Sequence, residues 1–301
     1  GCGKSTELTM LLKELETKYF PVFISVTNMM EITDVQIADL LLVMCIKLYE
    51  KTQQENLEID QTVINNIKDW FNEVTQIKHK EEGHQASAGF VLKYLLEVGA
   101  KIRTESTTRL EIRDRVKHRL SDLINRMNDL IREIEIKCSK EVILSVDDLD
   151  KPDLKIVENL FHGNSNTLTS PECKIIYVVP LSLLYTEEFK RIEQQFHGRP
   201  IILPVTKLWH KDGSEDRSGF EEMKKVISVR ISLDLFESDA LDEIIESSGG
   251  VLRELCKNVQ HCCLLSMEKV EKIDAGIVKK MLANLRNQFI SQISPDTYSK
   301  Y

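Results

Sequence analysis

Apolar residues along this chain recur in two rhythms, and the two alternate. Short unbroken runs, Phe20-Pro21-Val22-Phe23-Ile24-Ser25-Val26, Val142-Ile143-Leu144-Ser145-Val146 and Lys174-Ile175-Ile176-Tyr177-Val178-Val179-Pro180, have the length and β-branched content of buried strands. A fourth short strand is expected at Ile201-Ile202-Leu203-Pro204. Between them lie helical patterns: Thr6 to Lys18, the strongly apolar Asp34 to Lys51, the amphipathic Gln61 to Ile77, and Asp153 to Phe161. Val116, Leu120, Leu123, Met127, Leu130 and Ile134 step by four and three, which predicts one long helix over Thr107 to Ile136 packed along the domain. The polar, aperiodic stretch Lys78 to Gly89 is expected to be a mobile loop. Strands alternating with helices imply an α/β fold with a parallel sheet and helices on both faces. From Ser218 the pattern becomes helical throughout: Phe220 to Val229, Ser238 to Glu246, Val251 to Met267 and Ala275 to Phe289. A boundary near residue 215 therefore separates an α/β domain, 1–215, from a helical one, 216–301.

Two motifs sit where this architecture places chemistry. Gly1-Cys2-Gly3-Lys4-Ser5-Thr6, directly before the first helical pattern, is the second half of the phosphate-binding signature G-x-x-x-x-G-K-[ST]. Gly1, Cys2 and Gly3 let backbone N–H groups converge on phosphate oxygens at a helix N-terminus. Lys4 supplies positive charge, the Ser5 hydroxyl is a Mg²⁺ ligand, and Thr6 sits towards the α-phosphate. The second motif ends the Val142–Val146 strand in Asp147-Asp148-Leu149-Asp150. In a nucleotide site of this kind Asp147 serves the Mg²⁺ shell and Asp148 the attacking water. Taken singly, the first could be a turn with a helix cap and the second a solvated acidic turn; occurring in this order, they point to one nucleotide site.

Composition narrows the setting. The chain has 301 residues, 42% apolar, and no apolar run near the roughly 18–20 residues that span a bilayer. Seven scattered cysteines, without any C-x-x-C pair, suit a reducing cytoplasmic compartment and predict no zinc site. Cys262-Cys263 is read as core packing, and the seven histidines have no ligand spacing. A net charge of −8 excludes a surface that wraps nucleic acid, though not a local basic face. Arg109, Arg113 and Lys117, with Arg115 and Arg119 beside them, are either such a face, for nucleic acid or a neighbouring subunit, or the solvated side of an amphipathic helix. A chain that opens inside a motif is expected to continue upstream, where the strand that precedes a phosphate loop would lie.

With both motifs placed, the chain resembles P-loop ATPases of the AAA+ and STAND groups, and the D-D-L-D form is similar to that of KAP-like members. The resemblance implies a three-layer P-loop core followed by a helical lid, with ATP bound between them. Ser247-Ser248-Gly249-Gly250-Val251-Leu252-Arg253-Glu254-Leu255 is similar to the lid of initiator-like members, which makes Arg253 the sensor of the γ-phosphate. Ser182 stands nearest the place of the polar residue that ends the strand after Asp147–Asp148, and Arg230 is a weaker candidate for a nucleotide contact. Asp148 stands where many relatives carry glutamate; the shorter side chain implies slow turnover. The functions implied are an ATP-hydrolysing switch or motor with ATP and Mg²⁺, acting as a homo-oligomer or on a fused effector, as in bacterial antiviral defence. The alternatives are a nucleotide-gated signalling or scaffold module that rarely turns over, and a DNA-associated initiator-like ATPase.

Overall fold

The computed structural model describes residues 3–76, 87–196, 198–267 and 272–292. Residues 78–86 of the expected loop lie outside these, as do Gly1 and Cys2, but its last residues, Ala88 and Gly89, are not loop: they open a helix that Ser87 caps. The contacts divide the chain into two units, Ser5–Ile201, and Ile202–Tyr301 together with Gly1–Lys4.

In chain order the elements are α1 (Lys4–Leu15), β1 (Tyr19–Ser25), α2 (Val26–Met29), α3 (Ile37–Gln54), α4 (Gln61–Thr75), α5 (Ala88–Thr104), α6 (Ser106–Lys117), α7 (Leu120–Cys138), β2 (Glu141–Asp147), α8 (Leu154–Gly163), α9 (Ser165–Leu168), β3 (Lys174–Tyr177), α10 (Phe189–Gln195), α11 (Arg217–Ser228), α12 (Ser238–Ser247), α13 (Leu252–Met267) and α14 (Ala275–Gln292). The first unit is built on a three-stranded parallel sheet in the order β1-β2-β3. β2 is central, and its Val142, Leu144 and Val146 are fully buried, which is why it reads as a nearly unbroken apolar run. Pro21 is tolerated in β1 because, among the described residues, that strand lies at the sheet edge and pairs on one side only. Leu40 to Ile46 of α3 are buried on every side, since α3 runs between β1 and the helices α5, α6 and α7. Most of the chain is helical, so the described structure is an α/β unit with a small sheet and a large helical share.

Two expectations are corrected here. Ile201–Pro204 forms no strand; Ile201 is 96% exposed, and among the described residues no strand pairs with this stretch. The helix expected over Thr107–Ile136 is two helices, α6 and α7, broken at His118–Arg119. Its heptad stripe is nevertheless packed inward: Val116, Leu123, Met127, Leu130 and Ile134 are all buried.

The second unit has its own core, with Met223, Ile244, Ile245, Leu255, Cys262 and Val278 among its buried residues. The stretch Thr206–Lys207 passes between two glycines. A Cβ on Gly219 would lie 1.7 Å from the Lys207 carbonyl oxygen, and one on Gly250 1.9 Å from that of Thr206. Only hydrogen fits at either place.

Candidate functional site

The carboxylates gather at the C-terminal end of β2. Parallel pairing sets Ser25, the last residue of β1, beside Asp147, the last of β2. The chain then turns sharply: Asp148 has φ +74°, a left-handed conformation that aspartate tolerates better than most residues. The Asp148 N–H donates back to Asp147 Oδ1 at 2.8 Å, and the Lys151 N–H donates to the Asp148 carbonyl at 3.1 Å. Asp147, Asp148 and Asp150 thereby bring carboxylate oxygens within 4.8 Å of one another. Asp147 is 2% and Asp148 6% exposed.

The two buried acids have different surroundings. No lysine or arginine of the described residues pairs with Asp147. Asp148 is held from both sides. Ser25 Oγ donates to its Oδ2 at 2.6 Å, and Lys151 Nζ pairs with its Oδ1 at 2.7 Å while donating to Thr27 Oγ1 at 3.2 Å. Burial would raise the Asp148 pKa, but hydrogen bonds from Lys151, Ser25 and Thr27, with the Lys151 charge, hold it below the ordinary carboxylate value. A cluster of three carboxylates whose oxygens converge in this way is chemically suited to a hard divalent cation. Ser145, two residues before Asp147 on the same face of β2, is fully buried, and its hydroxyl has no hydrogen-bond partner among the described residues.

No family model, curated protein or solved structure matches this chain.

The other candidates are placed as follows. α1 begins at Lys4, immediately after Gly3, whose φ of +90° suits glycine; a Cβ there would meet nothing within 4 Å, so the backbone angle alone sets the preference. Ser5 and Thr6 are exposed in its first turn, and the Ser5 carbonyl accepts from Thr9 Oγ1 at 2.7 Å. Ser182 is exposed in a short 3₁₀ turn, Leu181–Tyr185, that follows β3. In the second unit, Arg253 is exposed in the first turn of α13, and its neighbour Glu254 pairs with Lys257 at 2.9 Å. Arg230 is occupied with the end of its own helix, donating to the Val226 carbonyl at 2.8 Å.

The basic face does not exist as either reading had it. Arg109 and Arg113 are buried, 8% and 5% exposed. Arg113 binds Asp39 through Nε at 3.0 Å and through Nη2, and Asp34 through Nη1 at 2.7 Å and at its carbonyl. Arg109 donates to the carbonyls of Ile102 and Arg103 and to Asp34. Arg115 is tied to the Val74 carbonyl and Arg119 to Glu73 and Asp122, which leaves Lys117 as the exposed member of the row. Charges paired in this way within the fold are not available to a polyanion.

Ser25, Thr27 and Lys151 belong to no motif. Ser25 and Thr27 become visible only through the register of β1 on β2. Lys151 had a local signal, since a turn after Asp148 brings position i+3 back beside it.

Proposed function

We propose that this protein binds ATP with Mg²⁺ and hydrolyses it slowly, as a nucleotide-driven switch. The observation that carries the reading is the pair of buried acids at the end of the central strand: Asp147, with no lysine or arginine paired to it among the described residues, and Asp148 fixed in a left-handed turn beside it. Ligands of open parallel sheets bind beyond the carboxyl ends of the strands, and a strained backbone at a polar cluster is a mark of function. In the motif's chemistry Gly3 and the start of α1 receive phosphate oxygens and Lys4 supplies charge. Ser5 and Asp147 would hold Mg²⁺, which neutralises phosphate charge when bound. Asp148 orients the attacking water and takes its proton.

The test is nucleotide binding and turnover in parallel. Lys4→Ala should lose tight binding of a fluorescent ATP analogue. Asp148→Asn should keep binding and lose about 10²–10⁴-fold in hydrolysis. Asparagine tolerates a positive φ at least as well as aspartate, so this change isolates the charge. Wild-type affinity in Lys4→Ala would remove the phosphate-loop reading. Binding without any hydrolysis by the wild-type protein would leave the nucleotide-gated module in its place.

A further inference from the structure

We infer that Lys151 is a latch on Asp148, holding it out of action as the residue that activates water; the inference rests on the ATPase reading above. A carboxylate that activates water must turn a lone pair towards the nucleophile, and every donor already bound to it takes one lone pair and fixes where the others point. Here one oxygen of Asp148 accepts from Ser25 at 2.6 Å and the other is paired with the Lys151 ammonium at 2.7 Å. Thr27 also hydrogen-bonds the carboxylate, and Ser25 and Lys151 restrain it in unlike ways. Ser25 is a short side chain at the end of a paired strand, fixed by the sheet, and its bond orients the carboxylate. Lys151 is 44% exposed on a flexible four-carbon stem, and it reaches Asp148 because the turn from β2 returns the chain three residues later. Of the two, the lysine is the movable one.

The latch therefore has a fixed jaw and a releasable one. While Lys151 is engaged, the ammonium draws electron density from Asp148 and takes the space at Oδ1. An anionic group brought against the exposed lysine, a carboxylate or a phosphate, competes for the ammonium and frees that oxygen. Thr27, which accepts from the same ammonium at 3.2 Å, defines the resting position from the other side.

A structural tie and a latch predict opposite changes. Lys151→Met keeps the stem and removes the charge. It should raise kcat for ATP about 2- to 5-fold, the scale of one partly exposed ion pair, with KM and analogue affinity within about twofold. Lys151→Arg restores the cation and should return kcat to the wild-type value. Asp148→Asn added to Lys151→Met should abolish the gain, showing that it passes through Asp148. An unchanged or lowered kcat in Lys151→Met at wild-type affinity overturns the latch and leaves the ATPase reading standing. Failure of the wild-type protein to bind the analogue removes both, and the binding titration identifies that case.

Discussion

Ser145 buries a hydroxyl that no described residue hydrogen-bonds. A hydroxyl buried without a partner forfeits its bonds to water, about 1–3 kcal/mol, whereas a methyl group in its place loses nothing. Ser145→Ala should therefore raise the urea midpoint by the equivalent of about 1 kcal/mol with an unchanged slope; a lowered midpoint would mean that the hydroxyl has a partner after all. The acids that follow it were legible in the sequence, because a buried strand ending in Asp147-Asp148 is a local pattern. Their partners were not. Whether Ser25 reaches Asp148 depends on the pairing of two strands 123 residues apart, and no local pattern encodes that register. The arginines were misread for the same reason. A helix bearing Arg109, Arg113 and Lys117 looks solvated until Asp39, 74 residues away, is brought against it.

At the level of elements, periodicity located the three strands and most helices, because burial on one face or on both is written in the order of apolar residues. It gave one strand too many. Ile201–Pro204 has strand composition, but a strand also needs a neighbour, and nothing local states whether one exists. It also gave one break too few, as His118–Arg119 separates α6 from α7 with neither glycine nor proline to mark it. In the helical unit the decisive residues are the small ones. Gly219 in the first turn of α11 leaves no room for a methyl group against the Lys207 carbonyl, so Gly219→Ala must push the backbone apart. It should destabilise that unit by about 1–3 kcal/mol or more. Gly163→Ala, in open space at the end of α8, should stay within about 0.5 kcal/mol of wild type in the same melts. Equal behaviour of the two would show that Thr206–Lys207 does not pass so close.

For the molecule as a whole, two cores and an exposed connection predict where it comes apart. Ile201 and Ile202 are 96% and 59% exposed in irregular chain, and a bond must be reachable and locally extended before a protease cuts it. Thermolysin, which cleaves before bulky apolar residues, should cut at 201–203 and release a C-terminal fragment that resists further digestion, as mass spectrometry would show. Trypsin should leave this stretch whole, since Arg199 precedes Pro200. The sheet carries a different lesson. Its β1 margin has Pro21, which cannot donate to an incoming strand, while among the described residues nothing pairs with the outer margin of β3. A proline takes one donor from the β1 border, while the β3 border keeps its full row of backbone donors and acceptors, so a further strand, whether from this chain's own sequence or from another molecule, is better received beside β3 than beside β1.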